Sequence, residues 1–220
     1  LKSTTDKQEN TLSQNALTPI GILYFPALFT AKGNRQNPAQ EHRFSTVLLF
    51  DELATQTTAY KDMKLAALAA VAAKWGDAKA ADVPFLKSLR MPFRPADEKQ
   101  YGGFEDGKIF ISPWRSGKDG APGVVDLRGT VISVPSDVWG GQLARATVRA
   151  FAYDNNGNKG VSFILEHVQL VKADMPRRDG QQSASEAFGS AGGIDAAQAA
   201  ALGIGVTPTT SHDDSDDLPF

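Results

Sequence analysis

Along residues 143–153, Leu-Ala-Arg-Ala-Thr-Val-Arg-Ala-Phe-Ala-Tyr, two kinds of side chain alternate without interruption. An extended strand sends successive side chains to opposite faces. Ala144, Ala146, Val148, Ala150 and Ala152 therefore make one small apolar face, and Arg145, Thr147, Arg149, Phe151 and Tyr153 make the other. Side chains that small suit the inside of a tight β-barrel. The opposite face lines up two guanidinium groups and two aromatic rings, the materials of phosphate contact and base stacking. A cross-strand aromatic cluster flanked by solvated arginines fits the same pattern equally well.

The rest of the chain supplies strands to pair with this one. Residues 160–171 read as its hairpin partner, because Asp154-Asn-Asn-Gly-Asn158 between them tolerates positive φ. Residues 21–31 are apolar and aromatic, with Pro26 predicting a bulge or an edge position. In residues 42–50 Phe44, Leu48 and Phe50 fall on one face, and Arg43, Ser45 and Val47 on the other. Further strands are expected at 108–114 and 129–134. Asp51 is a good N-cap, and Leu53, Tyr60, Met63, Ala67, Leu68, Val71 and Trp75 recur near a 3.6 period until Gly76, which predicts one helix over 52–75. A long loop, 77–106, follows; it holds Arg90-Met-Pro-Phe-Arg94 and Tyr101-Gly-Gly-Phe104. Two strands, a helix and more strands predict a mainly β fold: an OB-type five-stranded barrel with one inserted α-helix, a β-sandwich being the rival.

The 220 residues divide unevenly in charge. Residues 181–220 carry Glu186, Asp195, Asp213, Asp214, Asp216 and Asp217 and no Lys or Arg, so residues 1–180 hold 23 basic against 19 acidic side chains. Gln, Ser, Ala, Gly and Thr dominate that acidic stretch, which offers too little apolar surface to offset the entropy of ordering. The organisation expected is a flexible segment 1–16, an OB domain 17–180 and a disordered acidic tail 181–220. Zero cysteines exclude disulfides, thiolate metal sites and cysteine nucleophiles. No apolar run reaches the roughly 18 residues of a membrane span, and a cytoplasmic protein is expected.

A second segment repeats the pattern of 143–153. In Lys108-Ile-Phe-Ile-Ser-Pro-Trp-Arg115, Ile109 and Ile111 face one way while Lys108, Phe110, Ser112 and Trp114 face the other. The predicted nucleic-acid face is therefore Arg145, Arg149, Phe151, Tyr153, Phe110, Trp114 and Arg115. Lys32, Arg35, Arg90, Arg94 and Lys118 are loop cations placed to track phosphates. Arg115-Ser-Gly-Lys-Asp-Gly120 reads as a flexible basic loop. Catalytic patterns are missing: there is no Gly-Lys-Ser/Thr phosphate loop, no His-Glu-x-x-His and no nucleophile elbow. No enzyme, cofactor or metal site is expected.

The chain ends Asp213-Asp-Ser-Asp-Asp-Leu-Pro-Phe220. This resembles the acidic C-terminal tip of bacterial single-stranded DNA-binding proteins, in which acidic residues precede a hydrophobic residue, Pro and a terminal Phe. The resemblance implies a partner-binding tail made of Asp213, Asp214, Asp216, Asp217, Leu218, Pro219 and Phe220. Its terminal ring and carboxylate would enter an apolar pocket with a basic rim. Tyr24-Phe-Pro-Ala-Leu-Phe29, His42-Arg-Phe-Ser-Thr-Val-Leu-Leu-Phe50, Pro122-Gly-Val-Val-Asp126, Ala150-Phe-Ala-Tyr-Asp154, Gly160-Val-Ser-Phe and Val168-Gln-Leu-Val171 look like a phage family of OB-fold single-stranded DNA-binding proteins, covering about residues 19–172. That resemblance implies an OB barrel, no catalysis, single-stranded DNA as partner, and a role in phage replication or recombination inside the infected bacterium, with replication or repair proteins meeting the tail. The alternative from another class is a β-barrel protein–protein adaptor that does not bind nucleic acid.

Overall fold

The computed structural model describes residues 14–33, 41–105 and 107–178; Arg35, the predicted tail 181–220 and most of the predicted flexible segment 1–16 lie outside these residues. Among the described residues one sheet contains β1 (Asn15–Leu17), β2 (Gly21–Lys32), β3 (Arg43–Phe50), β4 (Arg94–Pro95), β5 (Ile109–Ile111), β6 (Trp114–Ser116), β7 (Gly123–Val125), β8 (Leu143–Asn155) and β9 (Asn158–Lys172). Its pairings form a closed circuit. Strand β2 pairs with β3, β3 with β5 and β6, β6 runs parallel to β9, β9 pairs with β8, and β8 returns to β2. With β5 and β6 taken as one strand broken at Ser112-Pro113, five strands close in the order first, second, third, fifth, fourth. This is an OB-type barrel, mainly β, with a helical insertion between its second and third strands.

The alternation in β8 fixes what is inside. Ala144, Ala146, Val148 and Ala150 are buried, and the larger Val161, Phe163, Leu165, Val168 and Leu170 of β9 fill the space that they leave. The β8–β9 connection is the two-residue turn Asn156-Gly157, with φ of 51° and 87°, the conformation in which a hairpin's twist matches its strands. Strand β3 is buried on both faces. Leu48 and Phe50 join the barrel core, whereas Val47 and Leu49 meet Tyr24, Ala96, Phe104 and Phe110 in a second cluster outside the barrel.

Four expectations need correction. The helix predicted over 52–75 is two: Asp51 caps the single turn Glu52–Thr55, and Thr57 caps a new start for Thr58–Trp75, which Gly76 ends. Leu53 belongs to the isolated turn and is 74% exposed. The long helix buries Tyr60, Met63, Ala67, Ala70 and Val71 against the barrel, and Trp75 packs edge-on against Phe85 at 5.4 Å. Next, the loop 77–106 contains the helices Asp77–Ala80 and Val83–Ser88 and strand β4, all too short to show a hydrophobic period. Third, residues 129–134 form no strand. The Asp126 carboxylate accepts from the N–H groups of Arg128 and Thr130, both at 2.8 Å, so the chain turns there and only Val131 bridges back, to Val125. Those hydrogen bonds hold the Asp126 carboxyl below its ordinary pKa. Finally, Asn15–Leu17 falls across the boundary expected at residue 16 and pairs with β8 at Thr147–Arg149.

Candidate nucleic-acid interface

Outward-facing side chains of the second, third, fourth and fifth barrel strands converge on Trp114. Register places Ser45 of β3 and Ile164 of β9 beside it, and Phe151 of β8 opposite Ser162. The half-buried indole donates from Nε1 to Ser162 Oγ at 3.1 Å and meets the Phe151 ring edge-on at 6.0 Å; Tyr153 follows at 6.3 Å. The Arg43 guanidinium lies 3.8 Å above the indole centroid. Arg43 Nε is buried and has no hydrogen-bond partner among the described residues. A cation stacked on an indole, with two further rings beside it, can bind a phosphate and an unpaired base together.

Beyond Ser162 and Tyr153 the surface dips into a depression of about 140 Å³ lined also by Arg90, Met91, Pro92 and Arg94. Arg90 is positioned by its backbone, whose N–H donates to Lys159 O and whose carbonyl accepts from Val161 N, both at 3.0 Å. Arg94 is ion-paired with Glu98 and lies 5.3 Å from the Phe110 ring. Thus five predicted residues, Trp114, Phe151, Tyr153, Arg90 and Arg94, form one continuous surface.

The remaining arginines are not the free cations that the strand pattern implies. A β-bulge in β9, where pairing passes from Thr147↔His167 to Val148↔Leu165, presents the extra residue Glu166 outward. Its carboxylate takes Arg115 Nη1 at 2.8 Å and Arg149 Nε at 3.4 Å. Arg115 also donates to the carbonyls of Asp119 and Gly120, so 115–120 is a tied turn rather than a flexible loop. Arg145 Nε donates to Gln169 Oε1 at 2.8 Å.

Phe110 is corrected outright. It does face out of the barrel, as the alternation of 108–114 requires, but the segment 94–104 folds over it and leaves the ring 0% exposed. Lys118 is exposed, 3.7 Å from Glu41, and Lys32 lies on the rim of a different cleft. Two members of the face escape a search for alternating strands. Arg43 had only its phase with Ser45 and Val47 to mark it. Lys99 sits in the loop that covers Phe110, with its ammonium 4.7 Å from that ring. Burial holds the Lys99 amine below its ordinary pKa, and the neighbouring Arg94 charge pushes the same way.

Among the described residues no group of His, Asp and Glu could hold a metal ion, and no helix is long and apolar enough to cross a membrane. An OB-type barrel whose outer face carries stacked aromatic and cationic side chains has the build of a nucleic-acid-binding protein. The chain belongs to the Enterobacter phage Enc34 ssDNA-binding protein family, whose model matches residues 21–199. The fold is that of solved phage structures. The Enc34 single-stranded DNA-binding protein in complex with ssDNA superposes with a TM-score of 0.58 at 18% identity, over 74% of this chain and 89% of that one. The same phage protein in a second structure gives 0.57 at 20% identity, over 80% and 90%. Its C-terminal truncation gives 0.58 at 16%, over 74% and 88%. No curated protein sequence matches.

Proposed function

We propose that the chain binds single-stranded DNA without sequence specificity, protecting it during phage replication or recombination in the cytoplasm of the infected bacterium. The observation that carries this reading is the Arg43–Trp114–Phe151–Tyr153 group on the outer face of the barrel. Stacking contributes roughly 1 to 3 kcal/mol per base and accepts any base, because every base has a π-face. Arg90 supplies the adjoining charge, with Arg94, paired to Glu98, beside it. In this reading the barrel, from Asn15 of β1 onward, is the binding domain, and 181–220 a partner-binding tail whose Leu218, Pro219 and Phe220 anchor replication or repair proteins while Asp213, Asp214, Asp216 and Asp217 steer them.

Fluorescence anisotropy with labelled single-stranded DNA, duplex DNA and RNA at two salt concentrations tests the reading. Single-stranded DNA should bind most tightly, and its log affinity should fall linearly with log salt. A chain that binds none of the three would instead be the protein–protein adaptor.

A further inference from the structure

A second aromatic and basic surface adjoins the first and has no part in the reading above. Pro26 interrupts β2, the register with β3 slips between Tyr24 and Ala27, and Phe25 is left at φ 49°. A bulky residue in this left-handed region is strained, and such strain persists where the surroundings enforce it. Here the strain does not bury the ring, which stays 38% exposed. Tyr101, 58% exposed, meets it edge-on at 4.8 Å. The Tyr101 loop is itself pinned: the Tyr24 hydroxyl donates to Gly102 O at 3.2 Å, and Gly103, at φ 92°, leaves no room for a Cβ beside that hydroxyl.

On its other side Phe25 lines a cleft of about 550 Å³ with Pro26, Lys32, Pro135, Trp139 and Arg177. The Trp139 indole is held by a hydrogen bond from Nε1 to Met175 O at 3.0 Å, and the Arg177 guanidinium lies 5.0 Å from its ring. The cleft therefore repeats the composition of the Trp114 surface, a fixed indole under a guanidinium with another ring nearby. Continuity between the two runs through Lys99, which is 5.6 Å from the Phe25 ring and 4.7 Å from Phe110, the ring that Arg94 also approaches.

We propose that the Phe25–Trp139 cleft is a second base-stacking subsite for the same single-stranded DNA, with Phe25 as the ring that carries the strand from the Trp114 surface past Lys99 into it. Single-stranded DNA is the occupant that the charge favours, since Lys32, Arg177 and Lys99 all lie along this path. The inference rests on the single-strand reading above.

Its test separates the two. Anisotropy is measured with oligo(dT) of increasing length, from about 4 to about 16 nucleotides, the span of OB-fold site sizes. Phe25→Gly, which relieves the strained φ while removing the ring, should weaken binding of the longest oligomer by about 5- to 150-fold, the equivalent of one lost stack. Binding of the shortest oligomer that the parent holds should not change. Phe25→Tyr should restore the parent affinity. Lys32→Gln, at an exposed position, should flatten the salt slope by about 0.7 on long oligomers alone. Trp114→Ala should lose affinity at every length. If Phe25→Gly and Lys32→Gln match the parent at all lengths while Trp114→Ala does not, the second subsite is refuted and the first surface stands. A parent chain that binds no oligomer refutes both.

Discussion

Glu166→Gln isolates the electrostatic state of the interface. The carboxylate is shared between Arg115 at 2.8 Å and Arg149 at 3.4 Å, so the three groups together carry one positive charge. A phosphate approaching either arginine meets an anion already in place. The substitution keeps an acceptor oxygen and the side-chain shape, and raises the local charge to two. Removing one like-charge repulsion at about 4 Å in high dielectric favours the complex by about 1 kcal/mol, or about fivefold in affinity at low salt. One additional neutralised phosphate on a single strand steepens the log–log salt slope by about 0.7, so between 50 and 200 mM salt the variant loses about 2.6-fold more affinity than the parent. Folding changes little. Arg115 and Glu166 are 22% and 30% exposed and Arg149 is 38% exposed, which places these pairs at or below about 1 kcal/mol and the melting temperature within about 4 °C of the parent. Anisotropy against oligo(dT) across a salt series and a thermal melt measure both. Unchanged slope and affinity would put the phosphates elsewhere, and weaker binding at an unchanged melting temperature would mean that Glu166 aims the two arginines rather than masks them.

Phe151→Ala and Tyr153→Ala should each cost about 1 to 3 kcal/mol of single-strand affinity with little change in stability, whereas Phe110→Ala should cost about 3 to 5 kcal/mol of stability in a urea melt because its ring is fully enclosed. Burial and Arg94 depress the Lys99 pKa, and a bound phosphate favours the charged amine, so affinity should fall as pH rises through that depressed value. Lys99→Gln should flatten this alkaline dependence, measured with oligo(dA), whose bases carry no proton that is lost there. Deleting Phe220 should abolish docking of a labelled tail peptide to a phage or host replication protein and leave oligonucleotide affinity unchanged.

The barrel was legible wherever one strand obeyed one period over many residues. The alternation of 143–153 identified both the inside and the outside of β8, and Asn156-Gly157 announced its hairpin, because local geometry alone decides both. Phe110 marks where that logic stops: its direction follows from the strand, but its accessibility depends on segment 94–104, which arrives from elsewhere in the chain and covers it. The pairing of Arg115 and Arg149 through Glu166 was hidden for a related reason. It requires both the parallel β6–β9 contact and a bulge in β9, and neither leaves a periodic trace. Arg43 and Lys99 were missed because an arginine at a strand's end and a lysine in a loop look like ordinary solvated charges until the ring beneath each is known.

These neighbours bear on how a surface of this kind can be tolerant of sequence and still hold a strand firmly. Arg43 over Trp114, Arg94 and Lys99 beside Phe110, and Arg115 and Arg149 on Glu166 are cations already ordered against protein partners. A long side chain fixed in this way has lost most of its rotamer freedom on folding, so a phosphate that meets it does not have to order it again. None of these contacts depends on a base edge. On the proposed reading, then, affinity comes from preordered charge and flat aromatic faces, and the specificity that base-edge hydrogen bonds would supply has no residues assigned to it on this face.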